Sequence, residues 1–131
     1  MRVTEAEGYE ETRDSVSHDW IDWLDSRDWL PFPVPNVPRP VEYLDAIAAA
    51  LVVLTGGDDL GINLRRDRME EEILRSAIKR GQPLIGVCRG MQLINRYFRG
   101  RHMEVVNHVG SQHPVRFSGV FTDVYGGESR V

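Results

Sequence analysis

Residues 86–90 read Gly-Val-Cys-Arg-Gly, and Cys88 is the single cysteine of a 131-residue chain. Small-x-nucleophile-x-small is the cysteine counterpart of the Gly-x-Ser-x-Gly elbow, a sharp turn from strand to helix. The spacing has a physical cause. The turn holds its central residue in a strained backbone conformation, and side chains two positions to either side would collide across it. Such a turn projects the sulfur beyond the carboxyl end of a sheet, where open α/β folds place their sites. A helix starting at Arg89 aims its free N–H groups and positive dipole end at the sulfur, which favours thiolate. The Arg89 N–H is placed to hold an oxyanion. A second donor is expected from Gly56-Gly57, the pair that closes the preceding apolar run. The bland alternative is a buried packing cysteine whose glycines serve only helix–strand contact; the separate Gly-Gly loop weighs against it.

The elements that must position these residues follow from periodicity. Residues 12–26 place Val16, Trp20, Ile21, Trp23 and Leu24 at helical spacing, with Thr12, Asp14 or Ser15 as caps. The prolines from Pro31 to Pro40 limit that stretch to an edge strand around Phe32–Val34 and an ordered loop. Residues 41–50 read as a helix, and 51–59 as a short buried strand entering the glycine loop. Residues 65–80 form the clearest helix, with Met69, Ile73, Ala77 and Ile78 on one face and Gly81 as its stop. A strand over 83–88 and a helix over 89–100 complete the rhythm. Strands alternating with helices in this way predict an α/β fold with a doubly wound, mostly parallel sheet. From residue 102 onward, "EVVNHV" and "HPVRFSGVF" read as short strands or hairpin material outside that rhythm.

Composition narrows the function classes. A hydrophobic fraction of 41% and a charged fraction of 27% describe one ordinary globular domain spanning 1–131. A net charge of −4 and a pI near 5.5 give no electrostatic ground for a nucleic-acid partner. No apolar run approaches the ~20 residues that span a bilayer, and the acidic, arginine-bearing start is no signal peptide. A lone cysteine fits a reducing cytoplasm. The histidines and carboxylates show no metal-ligand spacing, and no cofactor is implied. Asp58 and Asp59 are expected to fix the glycine loop by turn hydrogen bonds. Arg65, Arg66 and Arg68 are expected at a solvated helix start, paired with Glu70–Glu72.

"VVLTGGDDL" followed by "PLIGVCRGMQLIN" resembles the class I glutamine amidotransferases, and within them the γ-glutamyl hydrolase-like branch, in which Cys-Arg-Gly-Met-Gln (Cys88 to Gln92) is characteristic. "YEETRDSVSHDWIDWL", "PFPVPN" and "NHVGSQHPV" extend the resemblance over essentially the whole chain. An Arg-Asp pair before a Trp-bearing helix is similar to members found in surface-polysaccharide biosynthesis. The resemblance implies a flavodoxin-like sheet and a Cys-His-Glu triad. A thiolate attacks the γ-carbonyl of glutamine or of a γ-glutamyl compound, ammonia or an amine leaves, and water releases glutamate from the thioester. Carried onto this chain, Cys88 matches the nucleophile, Arg89 and Gly57 the oxyanion donors with Gly56 beside them, and Gln92 a position near the substrate's amino acid end. His108 and His113 match a loop at the mouth of the site, as substrate-contact or structural residues.

The chain departs from the family at both ends. The family's His and Glu lie in a His-Pro-Glu-like segment after the nucleophile, and no such segment occurs here. Met1-Arg2-Val3 matches the inside of a turn that follows the relatives' first strand, so the fold is expected to be incomplete. His18 and His102 are expected at the surface. Three hypotheses follow. The first is a γ-glutamyl amide hydrolase or glutaminase, cytoplasmic, taking a small γ-glutamyl substrate, with a synthase or complementing chain as its partner. The second is a non-catalytic remnant or binding module of the same fold. The third, a thiol member of the α/β-hydrolase group, needs the same missing residues. Without its base the isolated chain is expected to be weak or inactive.

Overall fold

A computed structural model describes residues 1–103, 105–106, 110–125 and 128–130. Its centre is a parallel pair, β3 (Val52–Leu54) and β4 (Leu84–Gly86), with Val53 opposite Ile85. These are the short strands expected before the glycine loop and before Cys88. Between them α3 (Leu64–Arg80) makes the crossover that a parallel pair requires. Asn63 caps its start, its side-chain oxygen accepting from the Arg66 N–H at 3.0 Å. Gly81 ends it at φ +63, and the Gln82 N–H closes back onto the Ala77 carbonyl at 2.9 Å.

The core forms where α3 lies on this pair. Met69, Ile73, Leu74 and Ala77 bury against Val52, Leu54, Leu44 and Leu93. Leu44 comes from α2 (Pro40–Ala46), which starts with Pro40 in its first turn and is shorter than the expected 41–50. Ala48 already lies at φ +48, a conformation that a helix does not continue through. Leu93 comes from α4 (Arg89–Tyr97), the helix after the cysteine.

The N-terminal end differs from expectation. Residues 12–26 were expected to form one helix, and Met1-Arg2-Val3 a turn. Instead β1 (Arg2–Glu5) pairs antiparallel with β2 (Thr12–Ser15), and α1 (His18–Asp25) starts only after Ser17. The physical reason is local. Ser17, not Thr12, Asp14 or Ser15, offers its hydroxyl oxygen to the Asp19 N–H, and upstream the backbone finds its partners across the hairpin. The proline stretch carries no strand at Phe32–Val34 among the described residues. Near the other end, β5 (Pro114–Arg116) and β6 (Glu128–Arg130) form an antiparallel pair around α5 (Val120–Tyr125). The molecule is thus mixed α/β with a small parallel sheet, consistent with a flavodoxin-like class I amidotransferase. Among the described residues no helix is long and apolar enough to cross a membrane.

Candidate active site

Cys88 stands between the end of β4 and the first turn of α4, with φ 54 and ψ −113. A side chain in that region is strained, at a typical cost of about 1–3 kcal/mol. The surroundings enforce it. The ladder continues one step past the strands, the Val87 N–H donating to the Leu54 carbonyl at 3.0 Å. α4 then folds back so tightly that a β-carbon on Gly90 would strike the Leu54 carbonyl, with its carbon at 2.7 Å. A β-carbon on Gly86 would lie 2.5 Å from Ile94 and 2.7 Å from the Gly90 backbone. Both glycines are therefore required by contact between backbones. The Cys88 side chain between them is exposed. The Arg89 N–H opens α4 and is one of the four that a helix leaves without an internal partner.

The glycine loop meets the cysteine directly. A β-carbon on Gly56 would lie 3.3 Å from Cβ and 3.7 Å from Sγ of Cys88. Gly57 adopts φ +139, a conformation side chains rarely take, and it packs against the guanidinium groups of Arg66 and Arg2.

Beneath these two turns lies a buried group of charges that differs from expectation. Arg66 pairs with Glu70 as expected, its Nε donating to Oε1 at 2.7 Å, but the helix start is not solvated there: the Arg66 side chain is 1% exposed. Its Nη2 donates to the carbonyls of Thr55 at 3.2 Å and Gly56 at 3.0 Å. The Arg89 side chain is also buried, pairing with the other Glu70 oxygen and with Asp67. The second Asp67 oxygen accepts from the Gly61 N–H at 2.7 Å. Asp58 and Asp59, expected to fix this loop, are exposed; Asp67 supplies the carboxylate instead, because α3 runs directly under the loop's far end. Arg65 is exposed and donates to the Asn36 carbonyl at 2.5 Å, while Asp14 accepts from the Asn36 N–H at 2.8 Å. The proline loop is thereby tied to both β2 and α3.

Of the remaining expected residues, Gln92 is half-buried on α4, its N–H donating to the Cys88 carbonyl at 3.1 Å. His113 is half-buried, with Nδ1 3.3 Å from the Pro114 carbonyl. His108 lies outside the described residues. His18 and His102 are exposed, as expected. A cavity of ≈890 Å³ lies away from the sulfur, between α1 and the parallel pair, with Trp20, Ile21, Leu24, Val53 and Ile85 among its walls. Position of the chemistry, and not volume, therefore marks the site.

Asp67 and Glu70 were not legible in the sequence as parts of the site, and Arg66, expected in solvent, is buried. The available signal was that Arg66 and Glu70 prolong the apolar stripe of Ile73 and Ala77 at helical spacing, where a solvated charge does not belong.

Residues 3–118 match the Peptidase C26 family. The chain belongs to that family. It is 30% identical over 121 residues to the gamma-glutamyl-CDP-amidate hydrolase of Campylobacter jejuni, covering 86% of this chain and 59% of the relative. It is 36% identical over 94 residues to the glutamine amidotransferase-like protein YvdE of Lactococcus lactis, covering 61% of this chain and 39% of the relative. A glutamine amidotransferase-type protein of Mycobacterium tuberculosis is 32% identical over 106 residues, with 65% and 34% covered. The Peptidase C26 chain thus spans 59% or less of the length of these relatives. No solved structure matches it.

Proposed function

We propose that this chain carries the nucleophile half of a γ-glutamyl amide hydrolase or glutaminase site. The observation that supports it most is the strained Cys88, exposed at an elbow and lying against Gly56. Family membership and the hydrolase among its relatives favour a γ-glutamyl amide as substrate, glutamine included.

In this reading the Cys88 thiolate attacks the γ-carbonyl carbon, and the oxyanion so formed accepts from the N–H groups of Arg89 and Gly57. Collapse breaks the C–N bond, the amine leaves with a proton from a general acid, and a γ-glutamyl thioester remains on Cys88. Water then attacks the thioester, giving glutamate and restoring the thiol. Gln92, half-buried one helical turn beyond the sulfur, takes the substrate's amino acid end, and His108 and His113 serve the mouth of the site as substrate-contact or structural residues. The general acid and base are the family's His and Glu, supplied by a complementing chain in the cytoplasm, with a synthase as a recipient of ammonia. The sheet is the nucleophile-bearing part of a doubly wound one. The apolar cavity between α1 and the side chains of Val53 and Ile85 favours that incompleteness, because it leaves room for further packing against the sheet. The second reading is a non-catalytic remnant or binding module of the same fold, which keeps the elbow without a base.

The test is intact-mass labelling with a glutamine-mimicking chloroketone, set against iodoacetamide. Selective one-to-one modification at Cys88, lost in Cys88→Ala, is expected, alongside little or no glutaminase turnover by the isolated chain. Labelling by iodoacetamide alone would favour the non-catalytic reading.

A further inference from the structure

We infer that Arg66 and Glu70 are positioning residues of the Cys88 site, setting the direction of the oxyanion donors through the buried charges beneath it. The inference rests on the reading of the site given above and extends it to residues that never touch substrate.

A trans peptide unit holds its C=O and its N–H on opposite sides. The Gly56 carbonyl belongs to the same unit as the Gly57 N–H, and Arg66 Nη2 holds that carbonyl at 3.0 Å. Drawing the carbonyl toward Arg66 turns the Gly57 N–H away from it. The Thr55 carbonyl, held by the same nitrogen at 3.2 Å, fixes the preceding unit. Since Gly57 lies at φ +139, where glycine has wide freedom, nothing in its own residue type enforces this direction. The guanidinium does.

Glu70 joins this loop to the other donor. One of its oxygens accepts from Arg66 Nε and the other from Arg89 Nη1, so one buried carboxylate holds both turns. Arg89 is the residue whose own N–H opens α4. Asp67 closes the arrangement, pairing with Arg89 and taking the Gly61 N–H at the far end of the loop. Two guanidinium groups and two carboxylates balance in charge, and the side chains of Arg66, Glu70 and Arg89 are 1%, 3% and 2% exposed. At such burial these bonds are not shared with bulk water, and a lost partner is not replaced by solvent. A purely packing role would need neither the fork onto two carbonyls nor the shared carboxylate.

The experiment compares the full chain with Arg66→Lys, which keeps a cation opposite Glu70 but lacks the fork that reaches both carbonyls. Labelling rates at Cys88 are measured with the chloroketone and with iodoacetamide, and amide hydrogen exchange is followed at 55–58 and at 73–77. The expected result is a ten-fold or larger fall in the chloroketone-to-iodoacetamide rate ratio. Exchange at 55–58 should rise ten-fold or more, while 73–77 stays protected. If Arg66→Lys does not fold, Glu70→Gln, isosteric and uncharged, serves for the same comparison. A ratio within two-fold of the parent, with unchanged exchange at 55–58, overturns the inference. So does a parallel fall with both reagents and loss of protection at 73–77, which marks a purely structural role. A parent chain without chloroketone preference removes the reading of the site itself; the exchange comparison at 55–58 then decides alone whether Arg66 holds the loop.

Discussion

At Cys88 the backbone carries a conformation that its side chain disfavours, with φ 54 at the head of α4. Nothing about burial asks for this, since the thiol is exposed. The strain is held in place by neighbours that have no room to move: the Gly90 backbone against the Leu54 carbonyl and the Gly86 backbone against Ile94. Removing the β-carbon should therefore relieve more than the added chain entropy of glycine costs. Cys88→Gly is expected to be more stable than Cys88→Ala by about 1 kcal/mol, with labelling abolished in both. Urea unfolding of the two variants measures it, and equal midpoints would mean that the elbow stores no strain. Gly86, Gly90 and Cys88 were legible in the sequence because their spacing is itself the geometric requirement. Arg89 was legible only in part. Its N–H follows from being next to the nucleophile, but the buried pairing of its side chain depends on α3, far away in the chain.

Among the elements, α3 does two jobs with one helix. Its Met69–Ile73–Ala77 stripe makes the core, and the same stripe continued backward through Glu70 and Arg66 makes the charged floor of the site. At its other end Arg80 pairs with Asp45 on α2, through two guanidinium nitrogens to two carboxylate oxygens. The hydrogen bond from Arg80 holds the Asp45 carboxyl below its ordinary value. A carboxyl whose folded value is depressed contributes stability above its unfolded value, near 3.9, and loses that contribution as pH falls through the folded one. The pair is solvent-exposed, so the effect is small and screened by salt. Asp45→Asn is expected to lower Tm slightly at pH 7, with the difference vanishing in strong acid and shrinking in 1 M salt. A difference that persists unchanged in acid would assign it to packing. The β1–β2 hairpin was not legible: the Trp-bearing periodicity of 16–24 is real, but the residues before it pair with β1, and pairing outweighs local propensity.

On the scale of the whole molecule, packing is uneven. Leu74 is fully buried beside Leu54 and Leu93, whereas Val53 and Ile85 face the ≈890 Å³ cavity under α1. The cost of truncating a side chain depends on how many neighbours it loses. Leu74→Ala is expected to destabilise by about 3 kcal/mol or more, and Val53→Ala by about 1 kcal/mol or less. Equal losses in thermal or urea unfolding would mean that the cavity is closed in solution. A complementing segment that packs there should raise the cost of Val53→Ala toward that of a core site.

The sequence by itself determined the elbow, the glycine loop, the parallel pair, the crossover helix and the family. The elbow, the glycine loop and the crossover helix depend on residues close together in the chain, where spacing and backbone sterics act directly, and a helix between two strands dictates that they pair in parallel. Only the tertiary structure decided the hairpin at the start and the burial of Arg66, Asp67, Glu70 and Arg89. These depend on which charge meets which carbonyl across the fold. A charged residue on a helix reads the same in sequence whether water or a second charge completes it, and the choice is made when α3 is laid beneath the two turns.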